Sequence, residues 1–182
     1  MNDELILKDE LILVDIFDNE LGFTDKAAAH AQPLLHRAFS VFLYDDSGKT
    51  ARLLLQKRAL TKYHSGGLWA NTCCSHPRRG EDLLSAAARR LQEEMGIKSP
   101  PLKEINNFVY CHQFNPTLYE YEYDHILVGQ YRGMPLANPE EAAETVWLRE
   151  SILANDLRNN PRAYAPWFIT AAPMVLQWLK AR

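Results

Sequence analysis

The stretch from Glu81 to Ile97 constrains this chain more than any other, because it specifies a helix, both of its ends and a charge pattern together. From Asp82 to Met95 the residues are strong helix formers, with Leu84, Ala87, Ala88 and Leu91 placed on one face. Gly96 stands where a helix C-terminus needs a residue free to adopt a left-handed backbone. Arg89 and Glu93 are spaced four apart, as are Arg90 and Glu94, and Glu81 precedes the first turn. Taken alone these are two solvated ion pairs on an exposed face, worth roughly a few tenths of a kcal/mol each.

The 182 residues predict one compact domain spanning 1–182, and 47% hydrophobic with 24% charged residues is ordinary globular composition. No apolar run approaches the roughly 18 to 20 residues of a membrane span, and acidic Asp3 and Glu4 replace the basic head of a signal peptide. A soluble, untargeted, cytoplasmic chain is therefore expected. Twenty basic against 23 acidic residues, without a block of like charge, exclude a nucleic-acid or membrane-surface footprint, so an anionic partner must be held locally. Cys73, Cys74 and Cys111 fit neither a disulfide framework nor a zinc knuckle and suit a reducing compartment.

Residues 11–16 read as a strand that turns at Asp18-Asn19 and pairs back through Leu21–Phe23, and Thr24 or Asp25 caps a short helix through Ala29. Arg37–Tyr44 and Arg52–Lys57, joined by Asp45-Asp46-Ser47-Gly48, form a longer hairpin. Thr61 to Gly80 is too irregular for an element, yet it holds Trp69, Cys74 and His76, as site-building loops often do. Strands are expected over 104–114, 119–130 and 146–148, and helices over 149–157 and from Pro166 to about Lys180, the last kinked by Pro173. The result is an α/β (α+β) arrangement: a mixed β-sheet flanked by α-helices, with an N-terminal hairpin extension.

In Tyr119-Glu120-Tyr121-Glu122-Tyr123, strand alternation puts both glutamates on one face and the three tyrosines on the other. Adjacent carboxylates repel unless a cation sits between them; the plain alternative is an exposed acidic edge over a buried tyrosine face. His30, His36 and His76 stand in neighbouring segments, and imidazoles with carboxylates suit Mn²⁺, Mg²⁺ or Zn²⁺, five protein ligands favouring an octahedral ion.

From Ser75, five residues lead to Glu81, and seven more lead to Arg89-Arg90-Leu91-Gln92-Glu93-Glu94-Met95-Gly96-Ile97. This resembles the Nudix box, a loop, helix and loop whose carboxylates coordinate a divalent ion on a diphosphate. Two departures stand out: Ser75 replaces the opening Gly, and Arg90 replaces the glutamate of the box's Arg-Glu pair. A cation at position 90 can grip a phosphate directly while making hydrolysis less favoured. Five further segments, Leu35–Ser40, Lys57–Leu60, Leu68–Pro77, Tyr119–Tyr123 and Ala165–Trp167, extend the resemblance over nearly the whole chain to the type I isopentenyl-diphosphate isomerases, a branch of the Nudix superfamily. Asn71-Thr72-Cys73-Cys74-Ser75-His76-Pro77 is the most diagnostic of them, with a thiol two residues before a ligand histidine.

The resemblance implies the interconversion of isopentenyl and dimethylallyl diphosphate, in isoprenoid biosynthesis, by proton addition and removal through a carbocation. Cys74 would be the reacting thiol and Cys73 structural; Glu122 would be the opposing acid/base, helped by Tyr110. Trp167 would shield the cation with its indole face, with Trp69 walling the pocket beside the thiol. Lys26, Arg58, Lys62 and Arg90, with Ser75, would bind the substrate. His30, His36, His76, Glu120 and Glu122 would hold one divalent ion, and Glu94 a Mg²⁺ that arrives with the diphosphate. Trp147 and Trp178 belong to the core, and Glu93 to a surface ion pair. The partner is a small diphosphate, with no nucleic acid or membrane, and the chain is a monomer or weak homodimer. The competing readings are a Nudix hydrolase of nucleoside diphosphate derivatives, disfavoured by Arg90 and the Cys74 segment, and an inactive metal-binding module, disfavoured because Cys74, Tyr110, Glu122 and Trp167 are all present.

Overall fold

The computed structural model describes residues 10–182; the acidic N-terminal positions Asp3 and Glu4 lie outside the described residues. Strands β1 (Glu10–Val14) and β2 (Glu20–Asp25) form the N-terminal hairpin. Asp15 closes its turn by accepting the backbone N–H groups of Phe17 and Asn19, and Asp18 takes a left-handed φ of 65°. The Asp25 carboxylate then caps α1 (Lys26–Ala31) by accepting from the Ala28 N–H.

The following strands β3 (His36–Asp45) and β4 (Arg52–Arg58) do not run on as the hairpin that their sequences predict. They pair only at Tyr44–Leu53 and Asp45–Arg52, then splay apart. Two short strands of the irregular segment, β5 (Trp69–Ala70) and β6 (Cys73–Ser75), enter this opening, β5 on β4 and β6 on β3. Neither is long enough to carry a visible alternation of its own. Helix α2 (Leu83–Met95) follows, capped by Asp82 and ended by Gly96 at φ 62°. A methyl at Gly96 would also come within 2.8 Å of the Leu136 carbonyl oxygen, so both space and backbone angle demand glycine.

Strands β7 (Leu102–Asn115) and β8 (Leu118–Gln130) form the long antiparallel hairpin, and β8 runs parallel to β3 with His36 opposite Glu122. Strand β9 (Ala142–Arg149) is longer than Val146–Leu148 because polar Glu144 and Thr145 pair along β4 as well. Helix α3 (Glu150–Asn159) leads through one 3-10 turn to α4 (Pro166–Lys180). Pro173 neither breaks nor ends α4: it lies on the solvent side, where the Ile169 carbonyl that loses its donor is also exposed.

The nine strands make one mixed sheet with a helix layer on each face. Phe39, Val41, Leu43 and Leu54 pack against Ala86, Ala87, Leu91 and Met95 of α2, whereas Leu84 is exposed, so the buried face of α2 sits about one residue from the expected one. Phe42, Leu53, Leu55, Ile126 and Val128 pack on the other side against Phe168, Ala172 and Val175 of α4. The site opens where β3 and β4 part between these cores.

Candidate active site and metal centre

The run from Asn71 to His76 divides its side chains between the two cores and the cleft. Asn71, fully buried, donates to the carbonyls of Val41 and Cys73 and accepts the Trp167 indole N–H at 3.0 Å, which fixes the plane of that ring. Thr72 ties the parting strands together: its hydroxyl donates to the Leu54 carbonyl at 2.7 Å and accepts from the Leu43 N–H at 2.9 Å. Alternation along β6 then turns Cys73 into the α2 core, fully buried, and Cys74 into the cleft opposite Ser40. The Arg58 guanidinium lies 3.8 Å from Cys74 Sγ. Burial nevertheless pushes the Cys74 thiol up to about 12. Its thiolate fraction, and hence its alkylation by iodoacetamide followed by peptide mass spectrometry, is expected to rise about tenfold per pH unit from 7 to 9; a plateau near neutrality would contradict a thiol held high.

The metal-capable centre is built from four elements. His30 comes from the end of α1, His36 from the start of β3, His76 from just past β6, and Glu120 and Glu122 from β8. Ligand atoms of His30, His36, His76 and Glu120 all lie within 4.8 Å of one another. Glu122 joins them through Oε1, 2.7 Å from His76 Nε2 and 3.8 Å from His36 Nε2. Both glutamates are buried while the tyrosines between them are less so, which excludes the acidic-edge alternative. Burial and the neighbouring Glu120 push the Glu122 carboxyl well above the carboxylate range, whereas Glu120, although also buried, is held low by the adjacent imidazoles of His30 and His64. Burial lowers His36 to about 4 and, with His36 and Lys26 nearby, takes His76 well below its ordinary value. Neutral imidazoles are the form that ligates. His30 Nε2, His36 Nε2 and Glu120 Oε2 are buried without a hydrogen-bond partner. Such orphaned acceptors cost about 1–3 kcal/mol each, and their convergence fits a divalent cation.

Around this centre the cleft is lined by Cys74, Tyr110, Glu122 and Trp167 on its reactive side. Tyr110 donates to Glu122 Oε2 at 2.5 Å, as cross-strand partners on β7 and β8 can. The Arg58 guanidinium carbon sits 5.1 Å from the Trp167 ring centroid. The same cleft is lined by Lys26, Arg58, Lys62 and Arg90, and by Ser75. Arg90 donates to Glu94 at 2.6 Å, Lys62 lies 2.5 Å from Glu141, and Glu94 also accepts from Gln56 at 3.3 Å. Glu93 pairs with Arg89 and Arg90 at the surface, as expected. The structure does not bring Trp69 to the cleft: on β5 it is the cross-strand partner of Lys57, whose Nζ lies 5.7 Å from the indole. Sequence spacing places Trp69 near the thiol, and both side chains pack against the Phe42–Phe168 core, but the lining of the cleft includes Cys74 and not the indole of Trp69.

A family model for the NUDIX domain matches residues 34–168. A protein of Aromatoleum aromaticum named isopentenyl-diphosphate Delta-isomerase 2 is 46% identical over 170 residues, covering 93% of this chain and 88% of that one. The isopentenyl-diphosphate Delta-isomerase of Serratia proteamaculans is 49% identical over 160 residues, covering 88% and 87%. The chain belongs to this isomerase family. Its fold is that of the wider NUDIX group: a Deinococcus radiodurans structure superposes with TM-score 0.67 at 19% identity, covering 83% of this chain and 90% of that one. The NUDIX domain of Shewanella oneidensis NrtR, solved with ADP ribose, gives 0.62 at 16% identity, covering 86% and 94%.

Several residues of this isomerase-family cleft escape sequence reasoning. Gln56 and Glu141 surround Glu94 and Arg90, and Tyr63 and His64 contact Glu120. Asp124, fully buried, accepts from Ser40 beneath Glu122. Gln56 was detectable as the one amide on the apolar β4, and Asp124 as the continuation of the Glu120–Glu122 alternation. His64 had no periodic signal, because it lies in a segment without regular structure.

Proposed function

We propose that this protein interconverts isopentenyl diphosphate and dimethylallyl diphosphate by a proton shift through a tertiary carbocation. The observation that carries the reading is one cleft that brings a thiol and a phenol-bonded carboxylate together with four cations. Lys26, Arg58, Lys62 and Arg90 bind the diphosphate, with Glu94 holding a Mg²⁺ that travels with it. That grip orients a small apolar tail, which could not orient itself. His30, His36, His76, Glu120 and Glu122 would hold a second divalent ion, Mn²⁺, Mg²⁺ or Zn²⁺, which would supply positive charge beside the Glu122 carboxyl.

In the forward direction the Tyr110–Glu122 pair supplies a proton to C4, leaving positive charge at C3. Cys74 takes a proton from C2, and the new double bond forms between C2 and C3. Burial holds the free thiol neutral, and the Arg58 guanidinium offsets part of that cost when the sulfur carries charge in this step; the reverse direction exchanges the two roles. The Trp167 face offers electron density without a nucleophile, an attraction of about 2 kcal/mol in a desolvated site. Water is kept from the cation by the same wall. We further propose that residues 1–182 fold as one domain, supported by the pairing of β1 with β3 and by α4 lying across β7 and β8. A reducing, cytoplasmic setting is supported by the reaction's need for a free thiol.

Proton NMR of isopentenyl diphosphate in D₂O with the protein and Mg²⁺ tests the reading. Conversion to the dimethylallyl isomer with deuterium incorporation is expected; recovery of undeuterated substrate would contradict it, and phosphate release from nucleotides would favour hydrolysis instead.

A further inference from the structure

Tyr63 and His64, between β4 and β5, contact the metal-capable centre without belonging to its ligand set. Their hydrogen bonds reach His30 and Glu120. His64 Nε2 lies 2.7 Å from Glu120 Oε1. A carboxylate only accepts, so that nitrogen carries the ring proton, and Nδ1 accepts from the Ser65 hydroxyl at 3.3 Å. Tyr63 Oη lies 3.4 Å from the same Glu120 oxygen and 3.0 Å from His30 Nδ1. The His30 tautomer that leaves Nε2 free to ligate has Nδ1–H donating to Tyr63, whose own proton then goes to the carboxylate. The atoms then left without a partner are His30 Nε2 and Glu120 Oε2, 3.4 Å apart, both buried and both acceptors. His36 is set likewise, with Nδ1 2.8 Å from the Leu34 carbonyl, which leaves its Nε2 free.

We propose that Tyr63 and His64 are positioning residues that preset His30 and Glu120 for the divalent ion. The proposal rests on the reading of these residues as its ligands. Packing holds both rings in register: His64 stacks on Phe114 at 4.6 Å, and Tyr63 stacks on His30 at 5.7 Å. The segment itself is locked by a turn with Ser65 at φ 52° and Gly67 at φ 78°, and a Cβ at Gly66 would come within 2.9 Å of the Leu60 carbonyl oxygen. Partners that fix the tautomer of a ligating histidine or orient a ligating carboxylate typically change metal affinity about 10- to 100-fold when removed.

The test is Mn²⁺ affinity of the full-length protein, by competition with a chromophoric chelator, for the wild type, Tyr63→Phe, His64→Phe, His64→Gln and His36→Ala. Tyr63→Phe keeps the stack on His30 and His64→Phe the stack on Phe114, and each is expected to weaken binding about 10- to 100-fold with unchanged melting of the metal-free protein. His64→Gln, whose amide can still donate, is expected to recover part of that loss. Wild-type affinity in both Phe variants, with binding lost in His36→Ala, would overturn the positioning role and leave the ligand set standing. Equal losses in His64→Phe and His64→Gln would place the effect in packing and overturn the donor role of His64. No Mn²⁺ bound by the wild type, or full binding by His36→Ala, would overturn the ligand set and the positioning role with it.

Discussion

Cys74→Ala is expected to lower kcat for isopentenyl diphosphate by about a thousandfold, since a positioned proton-transfer group contributes roughly 10²- to 10⁴-fold. The ion should stay, because Sγ is not among the converging ligand atoms. Cys73→Ala is the control. Its side chain is fully buried against α2, so the loss is about 1 kcal/mol of stability with activity within a few-fold of wild type. Turnover with isopentenyl diphosphate and metal content by atomic emission decide the matter together. Loss of activity in Cys73→Ala with survival in Cys74→Ala would reverse the assignment, and with it the claim that β6 alternation selects the reacting thiol.

Glu122→Gln is expected to have a different signature. The amide keeps the volume and can still accept from Tyr110, but it removes the charge that His76 and a cation face through Oε1. Metal affinity should fall at least about a hundredfold and kcat about a thousandfold or more, and excess Mn²⁺ should restore occupancy without restoring turnover. Full activity at saturating metal would show that Glu122 acts only as a ligand. The pair of variants thus separates a group that reacts from one that reacts and ligates.

The elements legible in the sequence were those whose own residues decide them. Helix α2 has its cap, its run of helix formers and Gly96; the β7–β8 hairpin has alternation over Phe108–Asn115 on one side and Tyr119–Asp124 on the other. The two-faced pattern at Glu120 and Glu122 was legible for the same reason. What stayed hidden depends on partners far along the chain. Strands β5 and β6 exist because β3 and β4 part, and nothing local to Trp69–Ser75 announces that gap. Trp69 was misplaced because closeness to Cys74 in sequence does not decide which side chains line the cleft. Leu84 shows the limit of periodicity on a helix: an apolar residue beside the buried stripe stayed exposed at 47%. Tyr63 and His64 were missed because a loop residue's role is set entirely by what it meets.

The parallel pairing of β3 with β8, which sets His36 opposite Glu122, joins segments more than eighty positions apart. A nascent chain that has emerged only as far as Asn115 holds all three histidines of the metal-capable centre and neither glutamate. A chain released through Gln130 has the glutamates but not the indole of Trp167 or the helix that covers that face. Closure of the hydrocarbon pocket therefore belongs to the end of biosynthesis, after almost the whole polypeptide has left the ribosome, whereas the residues of the metal-capable centre are complete about fifty positions earlier.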